Sequence, residues 1–273
     1  MSAPKDANYP THDFVLEKRG LKSECKWSLD NRDKTSKECP HDFTDYSFKG
    51  KIADSWIDCV GNTPLIRLKN IAAAEGLECE LIAKYEFLNP NGSVKDRIAK
   101  RMIMQAEKDG TLKKGDCLIE PTSGNTGLGL AAAAASRGYK CIICLLEKMS
   151  VEKIDALKGF GAEIVKRPTH LPMYHADGIF GTSMKLMKRL HEKGEGAAVL
   201  NQYSNPSNPL AHYMTTGQEI WDQCDGKLDY LVATMGTGGT MTGISRALKE
   251  HDPNIKVVGV DPPGSILSGP EHF

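Results

Sequence analysis

The chain has 273 residues, of which 40% are hydrophobic and 26% are charged, and its 35 basic residues balance its 35 acidic ones. Zero net charge argues against a nucleic-acid partner, and no apolar run approaches the roughly 20 residues that cross a bilayer. Residues 1–10 also lack the apolar core of a signal peptide, so we expect a cytoplasmic protein with no membrane partner. In that compartment the eight cysteines are expected to be free thiols or ligands.

The first fifty residues differ in composition from the rest of the chain. They are charged, poor in aliphatic side chains, and contain Cys25, Cys39, His12 and His41. Such a composition is typical of a tail or of a segment that a ligand stabilises.

From about Ile52 the pattern predicts alternating strands and helices, with a less regular stretch before residue 228. The predicted strands are residues 81–85, 117–120, 139–146, 162–165, 228–233 and 255–260, and the predicted helices are residues 98–109, 126–137, 151–160 and 240–250. This α/β alternation predicts parallel sheets covered on both faces, with ligands at the carboxyl ends of the strands. Cys141 and Cys144 lie three apart on one strand, so they point to opposite faces and are expected to be buried core cysteines.

Lys95 is the first candidate functional residue. It follows a turn rich in Asn, Pro and Gly, residues 89–93, and directly precedes an amphipathic run. That spacing places it at a helix N-terminus, where the positive end of the helix dipole disfavours an ammonium and lowers the pKa. A neutral lysine amine is what Schiff-base chemistry requires, whereas a solvated first-turn lysine is the alternative.

Two glycine-containing loops each lie between a predicted strand and a predicted helix. The first, residues 121–127, offers hydroxyls, an amide and unpaired backbone N–H groups, which suit a carboxylate. The second, residues 236–240, has three glycines that let the backbone approach a phosphate. A dinucleotide site is the weaker interpretation of the second loop, because Met241 occupies the third glycine position of that fingerprint. Tight turn chemistry is the alternative for each loop alone.

A phosphate cradle, a carboxylate cradle and an activated lysine together suit pyridoxal phosphate with an amino-acid substrate. The motifs in residues 93–97, 122–127 and 236–240 resemble those of fold type II pyridoxal-phosphate enzymes, in the cysteine synthase and cystathionine β-synthase superfamily. The resemblance covers residues 52–267 and implies a tryptophan synthase β-like fold with two parallel-sheet α/β subdomains.

The resemblance also implies roles for individual residues. Lys95 would bind the cofactor covalently and act as the catalytic base, and Asn125 would bind the 3′ oxygen of its ring. The phosphate would be held by Gly236, Thr237, Gly238, Gly239 and Thr240. The substrate carboxylate would be received by Thr122, Ser123, Thr126 and Gln202. Tyr203 would face the substrate, with a buried structural tyrosine as the alternative.

The N-terminal segment resembles the haem-binding segment of animal cystathionine β-synthases, because Cys25-Lys26-Trp27 is followed by Pro40-His41. The resemblance implies that Cys25 and His41 are the axial ligands of haem b, with Arg246 paired to the thiolate. Cys39 is a competing ligand. A zinc site on Cys25, Cys39 and His41 and a disordered tail are the alternatives.

By resemblance the reaction condenses L-serine with L-homocysteine to L-cystathionine and water, the first step of transsulfuration, and releases hydrogen sulfide from cysteine. The implied organisation is a haem-binding segment, residues 1–50, and a catalytic core, residues 51–273, whose smaller mobile subdomain spans about 93–190. The family core continues beyond Phe273, so we expect a pocket that lacks one wall, an incomplete large subdomain and no S-adenosylmethionine module. A homodimer is expected. The alternatives are a non-catalytic form that binds haem and cofactor and pairs with full-length subunits, or a cysteine synthase.

Overall fold

The computed structural model describes residues 41–47, 50, 52–263 and 265, and all of the elements below lie within Phe43–Phe273. Its strands are β1 Leu65–Arg67, β2 Ile82–Lys84, β3 Cys117–Pro121, β4 Lys140–Leu146, β5 Glu163–Arg167, β6 Ala197–Val199, β7 Tyr230–Thr234 and β8 Lys256–Val260. Its α-helices are α1 Lys69–Ala74, α2 Lys95–Lys108, α3 Asn125–Arg137, α4 Val151–Gly159, α5 Ile179–Glu192, α6 Ser207–Ala211, α7 Gly217–Gln223 and α8 Gly239–His251. A π-helical turn, His212–Thr216, joins α6 to α7, and 3₁₀ turns span Trp56–Cys59 and Glu86–Leu88. In the part of the chain described here, no helix is both long and apolar enough to cross a membrane.

The central sheet has four parallel strands in the order β5-β4-β3-β6. One face packs against α2, α3 and α4 through side chains that include Ile103, Leu130 and Ile154, and the other face packs against α5. Cys141 belongs to the first face and Cys144 to the second, and both are buried. The predicted parallel sheet with two covered faces is therefore confirmed, as is the core position of this cysteine pair.

The stretch before residue 228 is not irregular as the sequence analysis expected. It contains α5, which covers one sheet face, and β6, which pairs with β3 at the sheet edge. Strand β6 has only three residues, too few to show a strand period. Helix α5 does carry helical spacing at Ile179, Ser183, Met187 and Leu190, a pattern that would have identified it.

The remaining strands form two smaller sheets. β1 and β2 pair antiparallel, with Leu65 opposite Lys84, a pairing that the sequence did not predict. β7 and β8 pair in parallel through the crossover helix α8, and Leu231, Ile244 and Leu248 form their buried core. The loops that follow β3 and β7 thus lie at carboxyl ends of parallel strands, where α/β proteins bind ligands.

Candidate active site

Lys95 is the first residue of α2, as predicted, and a hydrogen-bonded turn fixes its position. The Asp96 carboxylate accepts hydrogen bonds from the backbone N–H and the side-chain amide of Asn91, at 2.7 and 3.1 Å. The Lys95 N–H donates to the Ser93 hydroxyl at 3.2 Å. Gly92 has φ +77°, a left-handed conformation that favours glycine in this turn. The loop therefore presents the lysine from a rigid base.

Burial lowers the pKa of the Lys95 amine. The sequence predicted this direction from the helix dipole, but loss of solvent is the cause that the structure identifies. Helix α3 packs close to the start of α2, because a Cβ on Gly129 would lie 3.3 Å from the Lys95 carbonyl oxygen. A partly buried amine with a lowered pKa, beside the helix that follows the first loop, is suited to nucleophilic chemistry.

Arg97 anchors the same turn to two other parts of the structure. Its guanidinium donates to both Glu86 carboxylate oxygens at 2.6 and 2.8 Å, and to both Glu219 oxygens at 2.7 Å. It also donates to the Thr63 hydroxyl at 3.1 Å. The Arg97 side chain is only 2% exposed. Its buried ion pairs hold the N-terminus of α2 against the 3₁₀ turn Glu86–Leu88 and against α7.

Three of the predicted carboxylate ligands come together around the first loop. The Thr126 hydroxyl donates to Oε1 of Gln202 at 2.7 Å, and Nε2 of Gln202 donates to the Thr122 hydroxyl oxygen at 3.3 Å. All three residues are buried. The Thr122 O–H and the second Gln202 N–H are not used in these bonds, so each could donate a hydrogen bond to an anion.

The other residues predicted around this loop are placed differently. The Ser123 hydroxyl accepts a hydrogen bond from the Leu146 N–H at 3.1 Å, which links the loop to the end of β4. Asn125 is the first residue of α3, with an exposed side chain. Tyr203 is 40% exposed, so it is not the buried structural tyrosine of the alternative interpretation.

The second loop requires glycine at two positions. Gly238 has φ +82°, in the left-handed region, and caps the N-terminus of α8. A Cβ on Gly239 would lie 2.0 Å from Oδ1 of Asn208, closer than atoms can approach. A Cβ on Gly236 would meet no atom within 4 Å, so that side of the loop is open. An open glycine loop at a helix N-terminus is what the phosphate of pyridoxal phosphate needs, and the residues present therefore fit that cofactor.

Three polar residues that the sequence did not predict support these loops. Nδ2 of Asn208 donates to the Gln202 carbonyl at 2.9 Å and to the Thr237 hydroxyl at 2.8 Å, which connects the loop after β6 to the second loop. Glu120 is fully buried at the end of β3 and accepts hydrogen bonds from the N–H groups of Asn201 and Gln202. A carboxylate within an otherwise apolar strand was the one available sequence signal for Glu120.

His212, the third of these residues, lies behind the second loop. Its Nε2 is 3.1 Å from the Thr240 hydroxyl, and its Nδ1 is 3.0 Å from the Thr216 hydroxyl. Burial, together with the positive charges of Arg97 and Lys95, lowers the pKa of His212 to about 3. The ring is therefore neutral at physiological pH and orients Thr240 by hydrogen bonding alone.

The predicted haem ligands fall mostly outside this description. Cys25 and Cys39 lie outside the described residues, whereas His41 is described and is half-buried. Arg246 lies on α8 with its guanidinium 5.1 Å from the centre of the Tyr213 ring, and its Nε is 3.3 Å from Oε1 of Glu250. Within the described part of the chain, no group of three or more His, Cys, Asp or Glu residues is arranged to hold a metal ion.

Residues 57–269 match the family model described as pyridoxal-phosphate dependent enzyme. Cystathionine beta-synthase of Mus musculus is 51% identical over 251 residues, which cover 92% of this chain and 44% of the relative. The enzyme of that name from Apis mellifera is 53% identical over 245 residues, or 90% of this chain and 47% of the relative. That of Dictyostelium discoideum is 54% identical over 225 residues, or 82% and 44%. The chain thus spans less than half the length of these relatives.

A solved structure, a hydrogen sulfide-producing enzyme from Fusobacterium nucleatum, superposes with a TM-score of 0.72 at 37% identity. The superposition covers 82% of this chain and 70% of that one. The α/β fold with its parallel sheets, the partly buried lysine and the two loops agree with the family match. The chain belongs to the pyridoxal-phosphate dependent enzymes.

Proposed function

We propose that this chain uses pyridoxal phosphate, bound through Lys95, to replace the β-hydroxyl of L-serine with the thiol of L-homocysteine, giving L-cystathionine and water. The observation that carries this proposal is the partly buried Lys95 with its lowered pKa, set at the start of a helix beside the first loop. The names of the relatives and of the structural neighbour support this substrate class, and they support release of hydrogen sulfide from cysteine as a second outcome of the same chemistry.

The carboxylate of the amino acid would bind at the first loop. The Thr122 O–H and the free Gln202 N–H would be its side-chain donors. The Thr126 hydroxyl already donates to the Gln202 oxygen, and the other Gln202 N–H already donates to Thr122. The backbone N–H groups at the N-terminus of α3 add favourable partial charge. This arrangement would fix the orientation of the amino acid at its Cα.

The phosphate would bind at the N-terminus of α8, with Thr237 and Thr240 as hydroxyl donors. When bound, the cofactor supplies an electron sink that stabilises negative charge at the amino-acid Cα. The freed Lys95 Nζ would take the Cα proton, a role that its lowered pKa favours. Partial burial of the amine would limit competing solvent.

The test is cystathionine formation from L-serine and L-homocysteine with added pyridoxal phosphate, followed by mass spectrometry, with Lys95→Ala as the control. We expect product from the wild type and none from the variant. Turnover only with O-acetylserine and sulfide would instead identify a cysteine synthase. Protein that holds the cofactor without turning over any of these substrates would favour the non-catalytic form that pairs with longer subunits.

We also propose that the N-terminal segment holds haem b through Cys25 and His41. The support is the sequence resemblance and the donor chemistry, because thiolate and imidazole both ligate haem iron. The purified protein should show a Soret absorption band that Cys25→Ser shifts and Cys39→Ser leaves unchanged. The reverse pattern would assign the thiolate to Cys39.

A further inference from the structure

Glu120 makes a contact that the proposed chemistry does not use. Its Oε2 accepts the Asn201 N–H at 2.8 Å, and its Oε1 accepts the Gln202 N–H at 3.0 Å. The residue is 0% exposed and lies near the end of β3, directly before the first loop. Two consecutive backbone amides of the loop after β6 are thus held by one carboxylate on the neighbouring strand.

The held backbone has an uncommon conformation. Asn201 has φ +54°, in the left-handed region that asparagine adopts more readily than other residues with a Cβ. The two positions of β3 before it, Leu118 and Ile119, are apolar and fully buried, so a carboxylate is costly there without a specific partner. The two N–H groups of Asn201 and Gln202 are such partners, so the buried carboxylate and the left-handed turn hold each other in place.

The left-handed turn at Asn201 controls where the Gln202 side chain points. From this turn its carboxamide reaches Thr126 and Thr122, the carboxylate-binding groups of the proposed function. Its carbonyl oxygen accepts a hydrogen bond from Asn208, which also donates to Thr237 of the second loop. A shift of the Gln202 backbone would therefore misplace a substrate donor and disturb the contact with Asn208, which holds the second loop.

We propose that Glu120 is a positioning residue that clamps the Asn201–Gln202 backbone and so sets the carboxylate specificity of the site. This inference rests on the proposed function and adds a residue through which substrate recognition is controlled. The requirement is chemical as well as spatial. A carboxylate offers two acceptor oxygens to two adjacent N–H groups, whereas the isosteric glutamine offers one acceptor and turns an NH₂ donor toward the other N–H.

The decisive variant is therefore Glu120→Gln, with Glu120→Asp as a second variant that keeps both acceptors but is one methylene shorter. Ser183→Ala is the matched control, because it removes another buried hydrogen bond, from the Ser183 hydroxyl to the Ile179 carbonyl at 2.8 Å, away from the site. For each protein we would measure KM and kcat for L-serine, and amide hydrogen exchange in the peptide that contains Asn201 and Gln202, at pH 8, where Glu120 is mostly ionised.

Glu120→Gln should raise the KM for L-serine about tenfold, with kcat changed by less than about threefold. It should also speed exchange of the Asn201 and Gln202 amides, while Ser183→Ala changes neither measurement. Exchange in Glu120→Gln equal to that of the wild type, or a loss of kcat at constant KM, would overturn the inference. Wild-type protein without serine turnover would overturn the proposed function instead, and the exchange measurement would still decide the clamp.

Discussion

The Thr126 hydroxyl donates a hydrogen bond of 2.7 Å to the carboxamide oxygen of Gln202, a residue 76 positions later in the chain. This bond joins the N-terminus of α3 to the loop that follows β6. It also holds the amide end of Gln202, whose oxygen faces Thr126 and whose nitrogen faces Thr122. Substrate recognition in the proposed site depends on this orientation.

Thr126→Val should therefore weaken binding of L-serine while it keeps the shape of the side chain. A lost hydrogen bond contributes about 1 kcal/mol, so KM should rise about fivefold. Thr126→Ser keeps the hydroxyl and should stay near the wild type. Steady-state kinetics of the three proteins would check this, and equal KM values for valine and threonine would contradict it.

Gly239→Ala should weaken cofactor binding. The added Cβ would lie 2.0 Å from Oδ1 of Asn208, whose Nδ2 is held by Gln202 and Thr237, so the second loop must shift. We expect affinity for pyridoxal phosphate to fall by about tenfold or more, equivalent to about 1.4 kcal/mol, in an absorbance titration.

Gly159→Ala is the matched control for that substitution. Gly159 ends α4, and its added Cβ would meet no atom within 4 Å. Cofactor affinity should stay unchanged in this variant. A similar loss of affinity in both proteins would show that the Gly239 effect is not specific to the loop.

Arg97→Met should destabilise the protein strongly, because Glu86 would lose its cation and Glu219 would keep only Lys84, at 2.8 Å. Breaking a buried ion pair by removing one partner costs about 3–5 kcal/mol. Arg67→Ala is the control, since its ion pair with Glu80 joins side chains that are 61% and 64% exposed. Urea unfolding without cofactor should show a large loss for Arg97→Met and no measurable loss for Arg67→Ala. Equal stability of the two variants would contradict the proposed anchoring role.

The buried Glu120 predicts a specific dependence of stability on pH. Burial raises the pKa of Glu120 from 4.5 to about 7. The folded state then binds this proton more tightly than the unfolded state does, so the contribution is complete below pH 4.5 and is lost as pH rises through about 7. The free energy of unfolding of the wild type, relative to Glu120→Gln, should therefore be lower at pH 8 than at pH 5. A difference that is constant with pH would contradict this.

Sequence was sufficient for the parts of the site that are local. Lys95 and the two loops each follow a strand or turn at the point where a helix begins. The turn-forming glycine, proline and asparagine residues around them were therefore enough to predict their positions. The contacts of Glu120 and Asn208 could not be predicted in this way, because their partners are 81 and 29 residues away. Their roles depend on the register of β3 and β6 and on the packing of α6 against α8, which local patterns do not encode.

Covalent attachment of the cofactor to Lys95 is the central claim. Lys84 and Lys100 are the rivals, because burial also lowers the pKa of each of these amines. The protein would be incubated with pyridoxal phosphate, reduced with borohydride to fix the cofactor on its lysine nitrogen, digested, and mapped by mass spectrometry. We predict the added pyridoxyl mass on the peptide that carries Lys95 and on no other lysine. Modification at Lys84 or Lys100, or none at Lys95, would contradict it.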